Sequence, residues 1–199
     1  MNRNLLVTAL IATAAFGSSF AASAQTSAAN TTQRDVKQEQ RIENGLQNGT
    51  ITTRENAELQ RDEAHVDKLQ AKDMKNGAMT PAEKAQLTAA QNKTSRDISK
   101  ATHNGIDGNP LSASSQRAQA DAQRNIDQQQ RIANGVKNGS LTNHEAASLE
   151  RGQARTDRRE ARAGADGHVG AAEQRSIARA DNRQSARIWN KKHNARVKG

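Results

Sequence analysis

The chain contains no cysteine and no tyrosine, and only two prolines, two phenylalanines and one tryptophan among its 199 residues. Without cysteine there is no disulfide staple and no thiolate to act as ligand or nucleophile. Both phenylalanines, Phe16 and Phe20, lie near the N-terminus, so Trp189 is the one aromatic side chain of all that follows. Any core must come from scattered Leu, Ile, Val, Met and Ala, too thin a supply for one large hydrophobic interior. Long apolar runs are also scarce. Leu5 to Phe16 is the main one, and it falls short of the roughly 18 residues a membrane span requires. With Arg3 ahead of it and Ala22-Ser23-Ala24 behind it, the run reads as a secretory signal over residues 1–24. The mature protein is therefore expected in the periplasm or the medium.

What is present is a repeat. Gln40 to Glu55, QRIENGLQNGTITTRE, returns as Gln130 to Glu145, QRIANGVKNGSLTNHE, and shorter echoes stand at Asn76–Glu83 and Asp166–Glu173. Asn-Gly ends a helix, because glycine tolerates the left-handed backbone just past the last turn. Thr-x-x-Glu starts the next one through a reciprocal capping box. Between these turns the apolar residues recur at helical spacing, as in Leu59, Val66 and Leu69. Shifting the chain by about 90 residues aligns Gln33–Asn104 with Gln123–Asn194 without a gap, and more than a third of positions are identical.

The fold expected is all-α, with two homologous three-helix units from a tandem duplication. A disordered leader is expected over 25–32, helical unit 1 over 33–104, a linker over 105–115 and helical unit 2 over 116–199. Each unit holds about ten sizeable apolar side chains, worth about 20 kcal/mol of gross burial, which is marginal for some 70 ordered residues. Either the units pack together, or the protein is a set of extended helical hairpins. The interleaving of carboxylates with Lys and Arg reads as solvated helix faces, and Trp189 beside Ile188 as local core. His103 and His193 read as helix C-terminal groups that suit the dipole. Asn44-Gly45, four residues ahead of Asn48-Gly49, is expected to loosen the final turn of its helix.

The turns resemble the EF-hand loop. Asn44, Asn48 and Glu55 fall at the positions of the first ligand, third ligand and terminal glutamate, and Asn134, Asn138 and Glu145 do so in the second copy. The resemblance implies calcium held by oxygen ligands. Leu46 or Val136 fills the second ligand position, and Lys72 or Arg162 the first in the two shorter loops, where Asp166 and Glu173 supply carboxylates. That leaves a weak calcium-binding module as one reading and plain capping as the other. The chain also resembles uncharacterised exported bacterial proteins with tandem G-x-[IL]-T-x-x-E-x-x-x-L units, here Gly49–Leu59 and Gly139–Leu149, each followed by a Ser-x-x-Ile…His-Asn segment. That likeness implies no activity or cofactor.

Charge is uneven. The formal net charge of +9 sits almost entirely after Gly105. Arg175, Arg179, Arg183, Arg187 and Lys191 step by four along the last helix, and Arg151, Arg155 and Arg159 along the one before it. Like charges at this spacing oppose helix formation. They point either to docking on an anionic envelope polymer, acidic lipid or nucleic acid, or to an ordinary solvated face. No nucleophile elbow, P-loop or dinucleotide fingerprint occurs, and His144-Glu145-Ala146-Ala147-Ser148 lacks the second histidine of a zinc-protease helix. A non-enzymatic exported binding or structural protein is expected, with an unrecognised enzyme as the remaining alternative.

Overall fold

The computed structural model describes residues 17–77 and 79–194, with side chains from 27 onward. Six helices follow one another: α1 (Gly17–Asn48), α2 (Thr53–Lys75), α3 (Pro81–His103), α4 (Ala113–Lys137), α5 (Asn143–Ala163) and α6 (Ala171–Lys192). Among the described residues there is no strand, and no helix is long and apolar enough to cross a membrane. The first sixteen residues of the expected signal segment lie outside the described residues. The expected disordered leader is instead part of α1, with Ala28, Ala29 and Thr32 fully packed against the rest of the protein. Thr32 donates its hydroxyl to Ala28 O and to Glu150 Oε1, which gives this polar stretch a buried docking partner the local sequence does not reveal.

Local chemistry fixes the helix ends. Thr52, Thr80 and Thr142 each accept the N–H of the glutamate three residues on, and Glu55, Glu83 and Glu145 each accept the threonine N–H in return. Gly49 and Gly139 take φ +83 and +71 after α1 and α4. Gly45 and Gly135 do something the sequence pattern does not suggest. The Ile51 N–H donates to Gly45 O at 3.0 Å and the Leu141 N–H to Gly135 O at 2.8 Å. Each folds an apolar side chain back onto the glycine, where a Cβ would stand 2.4 Å from Ile51 Cδ1 or 2.6 Å from Leu141 Cδ1. These glycines are helical and allow close approach, so the expected loosening at Asn44-Gly45 does not occur.

The packing crosses between the two halves of the chain. α1 lies antiparallel to α4 and α2 antiparallel to α5, and these two pairs form the centre. Gln33 faces Gln130, Gln119 reaches Leu46 O, and Asn143 reaches Gly77 O at the far end. α3 covers α2 and α1, and α6 covers α5 and α4. The segment before α4 is not a free tether, since the Gly108 N–H donates to Gly49 O at 2.7 Å and Pro110 sits on Gly49. Apolar burial is divided into separate clusters. Ile42, Leu46, Ile51, Leu59 and Ile98 form one, and Met74, Ile132, Val136, Leu141, Leu149 and Ile188 form another. Much of the interior between the helices is polar.

Candidate functional site

Two features stand out: a carboxyl-rich interior and an arginine-lined cleft. In the interior, Asp35, Glu39, Glu63, Asp67, Glu150, Asp157 and Glu160 are buried, so the expectation of solvated carboxylates fails for these residues. They occupy the inward faces of α1, α2 and α5, at the same helical spacing that brings Val36, Ile42 and Leu59 inside. Carboxamides from facing helices hold several of them. Gln60 donates to Glu39 at 3.2 Å, Gln91 to Asp35 at 2.7 Å, Gln129 to Asp67 at 3.0 Å and Asn125 to Glu160 at 2.9 Å, while Gln70 also donates to Asp35. Ninety residues apart the roles reverse. Asp35 with Gln70 corresponds to Asn125 with Glu160, and Glu39 with Gln60 to Gln129 with Glu150.

Burial disfavours the charged form of these groups. It pushes Glu39 and Glu150 up to about 8 and Asp35 to about 7. It also holds Glu63, Asp67, Asp157 and Glu160 well above the usual carboxylate range, with neighbouring carboxylates adding to the effect. Asp121 and Asp181 rise to about 7 and about 6, the nearby Arg124 guanidinium, 3.8 and 3.6 Å away, offsetting part of their burial. Among the described residues no cluster of three or more His, Asp or Glu is arranged to hold a metal ion.

The turn oxygens that would serve calcium are used in capping. Asn48 Oδ1 accepts from Thr50 N–H at 2.9 Å, Asn138 Oδ1 from Ser140 N–H at 2.9 Å, and Asp166 Oδ1 from His168 N–H at 2.9 Å. Glu55 and Glu145 cap Thr52 and Thr142, and each also accepts from the asparagine past the end of the third or sixth helix, Asn104 or Asn194. Glu173 accepts the Gly170 N–H, Asn134 takes a hydrogen bond from Gln130, and Asn44 is exposed. His103 and His193 place Nδ1 on the carbonyls of Ser99 and Trp189, one turn back. Trp189 is not core. It is 60% exposed and stacks on His193, because Ile188 takes the inward position.

The cleft lies between α5 and α6. Arg155 and Arg159 from α5 and Arg183 and Arg187 from α6 line a space of about 190 Å³, floored by Gly152, Thr156, Ala180 and Gln184. None of the four arginines forms an ion pair with a carboxylate among the described residues. Arg159 Nη1 donates to Ser176 Oγ at 2.9 Å and lies within electrostatic reach of the buried Asp181. Burial first, then Arg187, Arg151 and Arg158, push the Arg155 guanidinium below its ordinary value. Arg175 and Arg179 are exposed further along α6, and Lys191 is partly covered near Glu145. Arg151 lines a separate cleft of about 370 Å³ with His65, Lys68, Leu69, Ala71 and Lys72. The concentrated positive charge therefore runs across α6, α5 and α2 as well as along α6.

A cleft between α2 and α3, which shares with the α5–α6 cleft the aligned positions Asp62, Lys93 and Asp97, has a different chemistry. There Lys93 donates to Asp62 at 2.7 Å and to Asp97 at 2.9 Å, and Lys100 reaches Asp97 at 3.2 Å. Ninety residues on, Lys93 becomes Arg183, Asp97 becomes Arg187 and Asp62 becomes Gly152. Both internal counter-ions are gone. The charge excess was legible in the sequence; the convergence of two arginine rows on one cleft required the α5–α6 packing. No protein-family model, no curated protein and no solved structure matches this chain.

Proposed function

We propose that this chain is a non-enzymatic, exported envelope protein, built from two homologous three-helix units, whose second unit docks on polyanions. One observation carries the reading: Arg155, Arg159, Arg183 and Arg187 line one cleft with no ion-paired carboxylate among the described residues, whereas Lys93, aligned with Arg183, is neutralised in the first half by Asp62 and Asp97. Uncompensated guanidinium groups on adjacent helices raise the local concentration of anions and bind them with charge-assisted hydrogen bonds. The duplication is supported by the repeated caps and by the acid–amide pairs that exchange roles ninety residues apart. A binding role is favoured over catalysis because the carboxyls with strongly raised pKa lie between packed helices rather than in the arginine cleft.

The test is cosedimentation of the full mature chain with phosphatidylglycerol vesicles across a salt series, alongside duplex DNA. Binding is expected to fall steeply with salt. Changing Arg155, Arg159, Arg183 and Arg187 together to glutamine should remove most of it, with helicity by circular dichroism unchanged. Equal binding by wild type and the quadruple variant would overturn the reading.

A further inference from the structure

We infer that the α5–α6 cleft is a seat for a single phosphate monoester group, a discrete site within the polyanion-docking face and resting on that reading. Size is the first reason. A space of about 190 Å³ is smaller than the 300–1,000 Å³ typical of pockets for drug-sized ligands, yet it has room for one compact tetrahedral anion. Donor geometry is the second. Arg155 and Arg159 stand one turn apart on α5, as do Arg183 and Arg187 on α6, about 6 Å along each axis. Both arginine pairs line the same space between the helices, each guanidinium a planar fork suited to two oxygens at once. A monoester offers three non-bridging oxygens and a charge of about −1.5 to −2 at pH 7. A diester inside a polymer backbone offers two such oxygens and one charge, a poorer match to four cations.

The floor supplies the third reason. A Cβ built on Gly152 would meet Gln184 Oε1 at 2.0 Å, so the glycine leaves the floor to Gln184, whose Nε2 donates to Leu149 O at 2.8 Å. In the first half the same two positions are Asp62 and Thr94. The smaller threonine accompanies an aspartate whose carboxylate lies on Lys93. The pair Gly152 and Gln184 therefore removes a built-in anion from the cleft, and an external anion takes the place of that carboxylate.

The experiment uses the full mature chain with three probes: inorganic phosphate by calorimetry, and vesicles carrying either phosphatidic acid, a monoester, or phosphatidylglycerol, a diester, at matched surface charge. Wild type is expected to bind about one phosphate saturably, in the low millimolar range or tighter. Gly152→Asp with Gln184→Thr, which places the first half's aspartate and threonine on the floor, should weaken phosphate at least tenfold. Arg183→Gln with Arg187→Gln gives the same readout without filling the floor, in case the first variant does not fold. Lys93→Gln, in the other cleft, should leave phosphate binding unchanged. A preference for phosphatidic acid that the floor variant abolishes would assign the seat to a lipid headgroup. Saturable phosphate without that preference would assign it to a soluble phosphomonoester. Wild type that docks on both vesicles equally and shows no saturable phosphate would overturn the seat while leaving polyanion docking intact. Failure to dock on either vesicle or on DNA would remove the docking reading itself.

Discussion

Gly45 and Gly135 show how much a single missing Cβ can decide. Each sits in the last turn of its helix, and each lets the first apolar residue past the helix end, Ile51 or Leu141, fold back over it. Alanine has the better helix propensity, so local rules favour the substitution. Packing opposes it, because the new methyl would stand within 2.4 to 2.6 Å of Ile51 or Leu141, both fully buried. Gly45→Ala and Gly135→Ala are expected to cost about 1–3 kcal/mol each, the usual penalty for overpacking. Thermal melts would check this, and a rise in melting temperature for either variant would show that the turn relaxes freely. The sequence made these glycines visible as part of N-G-x-x-N-G. Their purpose depends on where Ile51 and Leu141 go, which spacing alone does not reveal.

For α6, the cost of concentrated charge can be measured. Arg187 lies one turn from both Arg183 and Lys191 and near Arg155 across the cleft. Each like-charged pair at this spacing opposes the helix by roughly 0.2–0.5 kcal/mol. Arg187→Gln should therefore raise the melting temperature by about 1–3 °C at low salt, with the gain fading at high salt as screening takes over. The same change should weaken anion binding. A fall in melting temperature at low salt would mean that Arg187 has a stabilising partner and that the cleft is not under electrostatic strain. The sequence announced the four-residue steps along both helices but not that Arg155 and Arg159 share a cleft with Arg183 and Arg187. Helix–helix packing made a cleft from two rows that are otherwise surface decoration.

Across the whole molecule the acidic interior dominates the response to pH. The carboxyls of Asp35, Glu39 and Glu150 move from ordinary values of 3.8 or 4.5 up to about 7, 8 and 8 on folding, chiefly through burial. Folding therefore takes up protons between about pH 4 and pH 8. Their stabilising effect is fully present below the unfolded values and is lost as pH rises through the folded ones. The melting temperature should be highest near pH 4, at the acid end of that window, and fall by on the order of 10 °C by pH 9, at about 2–4 °C per kcal/mol. Glu63→Gln places at this site the residue found ninety positions later, Gln153, and should flatten that decline. Scanning calorimetry from pH 4 to 9 decides the matter; a maximum near pH 8 would show that the interior carboxyls ionise without penalty.

Helix caps, the helices they bound and the location of excess charge were legible in the residues, because each follows from contacts within a few positions. Thr52 finds Glu55 whatever the rest of the chain does. Tertiary structure alone decided that α1 lies on α4 and α2 on α5. Such pairing depends on which faces fit, and here both polar and apolar faces turn inward. It also decided that Asp35, Glu63 and Asp67 are interior rather than solvated. With apolar residues too few to fill four central helices, carboxyl and carboxamide groups complete the packing by bonding to one another across the interface.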